Sequence, residues 1–287
     1  MLATFLIGLR EGLEASLVIS ILVAYLVKTQ RQGLLPRIWA GVGLAMLASL
    51  GFGALLTFGP QGLSDRAEET IAGTLSFLAV GFVTWMVLWM SRASKSLAGD
   101  LQGRVDLAAG AAWGGLALVA FLAVAREGLE TAMFLWAATR SAVADGGAAA
   151  SSLLGALLGL GVAAAFGYAF YRGALRINLT RFFTWTGALL ILVAAGVLSY
   201  GVHELQEAGF LPGEHAVAFD LTGTIDPHAW YAVIAKGLLN LAPTMSWLQV
   251  VAWICYVGIA LFAFFRREPA TAASSQKPTK IPAQPAP

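Results

Sequence analysis

The word Arg10-Glu11-Gly12-Leu13-Glu14 recurs, letter for letter, as Arg126-Glu127-Gly128-Leu129-Glu130. Each copy lies inside a hydrophobic run long enough to cross a bilayer. A charged side chain at that depth costs from about 2.5 to well over 10 kcal/mol, so such residues are rare without a function. Helical positions i and i+3 share a face, as do i and i+4. Glu11 and Glu14 therefore project to one side, as do Glu127 and Glu130. Arg10 is in reach of Glu14, and Arg126 of Glu130. The glycine between the acids leaves room for a neighbouring helix or for an ion. If the two helices face each other, four carboxylates converge beside two guanidinium groups, a formal sum of −2 when all the acids are ionised. Carboxylate oxygens suit hard cations such as Mg²⁺, Ca²⁺, Mn²⁺ and Fe³⁺, whereas copper(I) prefers the Cys and Met that the words lack. A divalent ion would neutralise the group and ease its desolvation.

A single Arg–Glu pair at i, i+4 can equally be a staple between helices. Two words at matched depth argue for a cation site instead. Glu68 and Glu69 sit at the outer start of a later span, where the helix dipole favours acids. They are read as capping residues, with attraction of cations at an outer mouth as the alternative. His203 and Glu204 end another span on the same side, as ligands at that mouth or as a hydrated interface pair. His215 and His228 show no ligand spacing and read as ordinary loop residues.

The elements that must hold these residues are legible from composition. Of 287 residues, 58% are hydrophobic and only 12% charged, with a mean hydropathy of +0.75. That balance points to an all-α, polytopic membrane protein. The short alternating segments of a β-barrel are absent. The one cysteine, Cys255, has no disulfide or ligand partner and reads as a small core residue. The first segment lacks a basic leader and is interrupted by Arg10, Glu11 and Glu14, so it reads as a retained span rather than a signal peptide.

Seven transmembrane spans are expected, roughly 2–27, 38–58, 70–91, 107–139, 150–172, 182–201 and 246–266. The fourth is too long for one crossing, and either tilts, extends into the cytosol or bends near Gly114-Gly115. Lys28, Arg31, Arg37, Arg92, Lys95, Arg104, Arg172, Arg176, Arg181, Arg266, Arg267, Lys277 and Lys280 fall on one side, and only Arg66, Arg140 and Lys236 on the other. The positive-inside rule then sets the N-terminus outside and the C-terminus in the cytoplasm. The first triplet of spans (1–91) and the second (106–201) share their spacing and carry the word in their first helix. Three is odd, so the second triplet enters from the opposite face. This is the signature of an inverted 3+3 repeat with a site near midplane, followed by one C-terminal helix at 246–266. In both copies the word lies about ten residues from the outer end, roughly 15 Å deep. Glycines in span two (Gly41, Gly43, Gly51, Gly53) and span five (Gly155, Gly159, Gly161) suggest close helix packing.

Residues 202–245 form the one long outer loop, with an amphipathic helix expected from Asp226-Pro227 to Pro243. After Arg267 the Ala-, Ser-, Pro- and Gln-rich tail, 267–287, reads as a disordered cytoplasmic segment. His203-Glu204 has no second histidine four positions on, so no zinc-protease helix is present. No intramembrane histidine pair for haem and no phosphate-cradling loop are found. Neither enzymatic activity, a prosthetic group nor a nucleic-acid partner is expected.

The doubled Arg-Glu-Gly-Leu-Glu in the first and fourth of seven helices resembles the oxidase-dependent iron permeases, the fungal high-affinity iron permease and its bacterial Efe-type relatives. REGLEASL from Arg10 to Leu17 and HELQEAGFLP from His203 to Pro212 add to the likeness, which spans residues 1 to about 266. The resemblance implies that Glu11, Glu14, Glu127 and Glu130 carry iron as Fe²⁺ or Fe³⁺, with Arg10 and Arg126 beside them. It implies a bacterial cytoplasmic (inner) membrane setting and outer partners: a copper oxidase in fungi, or periplasmic iron-binding, cupredoxin or haem-peroxidase proteins in bacteria. Lead-uptake proteins belong to the same family, so Mn²⁺ or Pb²⁺ stands as an alternative cargo. From a different class, the chain would be a membrane subunit anchoring a redox enzyme, its acid pairs merely bonding helices. Proton-coupled transport of an organic solute is a third reading. Removing Arg126 is expected to misfold or mis-sort the protein, since Glu130 loses its partner.

Overall fold

A backbone crossing hydrocarbon has no water to bond with, so each apolar run must satisfy its own N–H and C=O groups as a helix. The computed structural model describes residues 1–60, 63–93, 114–144, 146–172, 179–221 and 244–266. Among these, seven long helices are present: α1 (Leu2–Lys28), α2 (Leu35–Phe58), α3 (Asp65–Ala93), α4 (Gly115–Ala144), α5 (Ala149–Tyr171), α6 (Leu179–Glu207) and α7 (Trp247–Arg266). Local chemistry sets several of their ends. Lys28 lies in the last turn of α1 and Arg266 in that of α7, where the helix dipole favours cations. Asp65 and Glu68 lie in the first turn of α3. Pro36, in the first turn of α2, gives up an N–H that had no helical partner there.

Five segments, Gln32–Phe58, Asp65–Trp89, Ala149–Tyr171, Arg181–Glu207 and Trp247–Arg266, are long and apolar enough to cross a membrane. The two remaining long helices, α1 and α4, are those interrupted by the charged words. The molecule is a polytopic helical membrane protein.

Three boundaries differ from the sequence reading. Helix α3 starts at Asp65, about a turn before the expected edge, because the polar residues of its first turn hide it from a hydropathy criterion. Helix α6 runs to Glu207, so His203 and Glu204 belong to a helix and not to the outer loop expected from residue 202. Helix α4 begins at Gly115, the second glycine of the pair, and continues to Ala144. A short antiparallel pair, β1 (Val217–Asp220) with β2 (Thr244–Ser246), was not expected; strands of four and three residues are too short for a visible alternation. The helix expected from Asp226 to Pro243, the run before Gly114 and the tail 267–287 lie outside the described residues.

Helix α1 packs chiefly on α5, α2 on α4, and α3 on α6, while α1 also meets α4 and α7 leans on α6. Close approach of α1 and α5 depends on Gly159, where a Cβ would come within 2.7 Å of the Leu9 backbone nitrogen. Among the described residues nothing lies against Gly43, Gly51 or Gly161, so these three meet no neighbouring helix there. Cys255 is exposed, not a core residue, among the exposed apolar side chains Val251, Ile254 and Ile259 of α7. Apolar solvent makes that exposure favourable.

Besides a small cluster of Leu9 and Leu13 of α1 with Ala163 of α5, the core forms two larger apolar layers. The first gathers Ala3 and Ile7 of α1, Val80 and Val83 of α3, Phe134 and Ala137 of α4, and Leu190 of α6. The second gathers Val18, Leu22 and Leu26 of α1, Ile38 and Val42 of α2, and Leu116, Ala120 and Val124 of α4. Helices α1 and α4 therefore run antiparallel, and each charged word lies between the layers.

Candidate metal site

Helical spacing alone brings each arginine onto its own second acid. Arg10 Nε lies 3.2 Å from Glu14 Oε1, and Arg126 Nε lies 3.0 Å from Glu130 Oε1 and 3.9 Å from Glu127 Oε1. The crossing of α1 and α4 then joins the words. One carboxylate oxygen from each of Glu11, Glu14 and Glu127 lies within 4.8 Å of the other two. Donors around a hard cation sit at about 2.0–2.6 Å, so two oxygens sharing one ion lie no more than about 5 Å apart. The trio is therefore spaced to share one ion. Among the described residues it is the only group of three or more His, Cys, Asp or Glu side chains gathered this closely. Glu130 faces the same cluster, since its charge acts on both Glu11 and Glu14.

Burial makes the arrangement expensive without a cation. Glu11 is only 1% exposed, and neither of its carboxylate oxygens has a hydrogen-bond partner. Glu127 Oε2 and Glu130 Oε2 are likewise buried and unpartnered. Unpaired buried acceptors of this kind are rare and costly. A hard cation would satisfy them together.

Gly12 and Gly128 serve the helices and not the ion. A Cβ at Gly12 would lie 2.8 Å from Ala163 Cβ of α5, and one at Gly128 would overlap Ser49 of α2. The two copies of the word differ most in their arginines. Arg10 is 1% exposed, whereas the Arg126 side chain is 49% exposed and lies over the ring of Trp89, 5.2 Å from its centroid. Trp89 went unnoticed in the sequence because an aromatic near the end of a span normally marks the membrane interface.

The four outer candidates do not join a comparable three-ligand group. Glu68 keeps its expected place in the first turn of α3 and also pairs with Arg140 of α4 at 2.9 Å, so it bridges helices as well. His203 Nε2 lies 3.3 Å from Glu207 Oε1, and Glu204 hydrogen-bonds Tyr200, with Glu69 near enough for their charges to interact. The stretch from His203 to Pro212 is an architectural hub. Leu205 packs on Gly73 of α3, where a Cβ would meet it at 2.7 Å. Gln206, 1% exposed, donates to Pro212 O at 2.8 Å and accepts from Ser246 Oγ at 2.9 Å. Arg66 Nε donates to Ala208 O at 3.0 Å and its guanidinium lies over Phe210.

Long apolar helices around a buried layer of carboxylates define the class: a polytopic membrane protein whose polar centre suits a cation. The chain belongs to the iron permease FTR1 family, whose sequence profile matches residues 1–269. It is 35% identical over 280 residues to a ferrous iron permease EfeU of Escherichia coli O6:H1, covering 96% of this chain and 99% of that protein. It is 36% identical over 280 residues to the protein of that name from Yersinia pestis, covering 96% and 97%. The Shigella sonnei relative, also a ferrous iron permease EfeU, is 35% identical over 268 residues, covering 92% and 95%. No solved structure matches the chain. The family is one of permeases, not enzymes.

Proposed function

We propose that this protein moves iron, as Fe²⁺, across a bacterial cytoplasmic membrane, and that Glu11, Glu14, Glu127 and Glu130 hold the ion midway. The convergence of three carboxylates from two antiparallel helices, between apolar layers, carries this reading. The relatives' name, ferrous iron permease, supports Fe²⁺ as cargo. Arg10 and Arg126 balance the acids when no ion is bound.

The route follows from a plan of two inverted repeats, 1–91 and 106–201. Its support is the main packing pattern: exchanging α1, α2 and α3 for α4, α5 and α6 turns the α1–α5 contact into α4–α2 and leaves the α1–α4 and α3–α6 contacts in place. Lysine and arginine placement supports an outside N-terminus and a cytoplasmic C-terminus. Iron handed over by periplasmic proteins would enter from the side of Arg140 and leave past the second apolar layer, as the two repeats rock about the site. A subunit whose acid pairs only bond helices would engage its carboxylates with donors; the two unpartnered oxygens of Glu11 count against that reading.

Uptake of radioactive Fe²⁺ into proteoliposomes tests the proposal. Glu14→Gln and Glu130→Gln are each expected to lower uptake by more than about tenfold, as loss of a metal's supporting groups does. Undiminished uptake in both variants would rule out the site. Competition by Mn²⁺ and Pb²⁺ in the same assay decides the cargo.

A further inference from the structure

Antiparallel helices carrying the same word set their arginines on opposite sides of the acids. Arg10 precedes its acids on the side of the first apolar layer, one turn from Ile7. Arg126 precedes its acids on the side of the second layer, next to Val124 and Ala125. Trp89 stands four residues before Ala93, the last residue of α3, and that end leads to the Arg- and Lys-bearing side of the chain. The Arg126 guanidinium therefore touches three groups there: Glu130 at 3.0 Å, Glu127 at 3.9 Å and the face of Trp89 at 5.2 Å. Half of its surface stays open. A guanidinium at that depth is not stable against acyl chains, so its open side meets water. On the opposite side the layer of Ile7, Val80, Val83, Phe134, Leu190 and Val197 leaves a cavity of only about 20 Å³, room for no more than one water.

We propose that Trp89 is a positioning residue for transport. Its indole face holds Arg126 at the cytoplasmic side of the carboxylate layer, as a tethered cation that takes the ion's place at Glu127 and Glu130 when the ion leaves. This rests on the reading of the four glutamates as the ion's site. A cation held over an indole face binds less firmly once the face is removed. Loosening Arg126 weakens the competitor, so the metal binds more tightly and departs more slowly.

The test compares Trp89→Leu, Trp89→Phe and Trp85→Leu, each with native Arg126 and with Arg126→Gln. Trp85, one turn away and 70% exposed, serves as the control. Two quantities are measured: the Fe²⁺ uptake rate in proteoliposomes, and Fe²⁺ binding to detergent-solubilised protein by calorimetry. Trp89→Leu is expected to lower the maximal rate about three- to tenfold and to tighten binding by a similar factor, in line with the strength of a partly desolvated cation–π contact. Trp89→Phe keeps most of the rate, and Trp85→Leu matches the wild type. In the Arg126→Gln background the Trp89 changes no longer alter binding. Where Trp89→Leu fails to fold, Trp89→Phe carries the test through a smaller shift that also vanishes without Arg126. Wild-type binding and rate in Trp89→Leu would overturn the proposal. So would a binding shift that persists in Arg126→Gln, or an equal loss with Phe and Leu. If Glu14→Gln also transports normally, the carboxylate site itself has failed; if only the Trp89 variants are silent, the failure is confined to this inference.

Discussion

Arg10 and Arg126 hold the same place in the same word, yet their surroundings assign them different work. Arg10 is 1% exposed and bonded to Glu14, so its removal strands the mostly buried Glu14 beside the fully buried Glu11. Breaking such a buried pair costs about 3–5 kcal/mol. Arg10→Leu is therefore expected to cut the yield of monodisperse protein on fluorescence-detected size exclusion and to lower its unfolding temperature sharply. Arg126, half open, is expected to tolerate Leu with its fold intact, and to lose transport instead. The sequence alone assigned the folding role to Arg126, because nothing in the letters distinguishes one copy from the other. Similar unfolding temperatures for the two variants would refute this division of roles.

At the scale of the helices, the charged word owes its position to its glycine. Gly128 lies against Ser49, whose hydroxyl is already committed to Ala45 O at 2.8 Å, so it has little freedom to turn away. Gly128→Ala overpacks the α2–α4 contact, at a cost of about 1–3 kcal/mol. Thermal unfolding in detergent is expected to register this loss, and Ser49→Gly, which clears the space, to restore most of it. No recovery in the double variant would mean that the glycine serves something other than packing. Much of this scale was legible beforehand. The i, i+3 and i, i+4 relations of Arg10, Glu11 and Glu14 need only the helical period, and long apolar runs announce spans without help from tertiary contacts. Which helix meets Gly12 or Gly128 was not legible, since small residues mark close approach but not the partner; Gly43 and Gly51 carry the same mark and meet nothing among the described residues. Helix ends in polar sequence were hidden too. His203 to Glu207 reads as a loop by hydropathy and folds as the last turns of α6, held by Leu205 on Gly73 and by Gln206 on Ser246.

Across the whole molecule, a polar layer lies between two apolar ones, crossed by antiparallel helices that carry the same word. The arrangement keeps the charges away from lipid, and it keeps one side tighter than the other. The apolar side near Ile7 and Phe134 is tightly packed, while on the other side half of the Arg126 side chain stays exposed. Under the proposed exchange of two halves, the opposite arrangement would part the Glu68–Arg140 pair. Everything in that cycle depends on one ion resting between the words. Anomalous scattering at the iron edge, from crystals grown anaerobically with Fe²⁺, measures this directly. A peak is expected about 2.0–2.6 Å from oxygens of Glu11, Glu14 and Glu127. Iron density confined to the outer residues around Glu68 and His203, with none between α1 and α4, would contradict it.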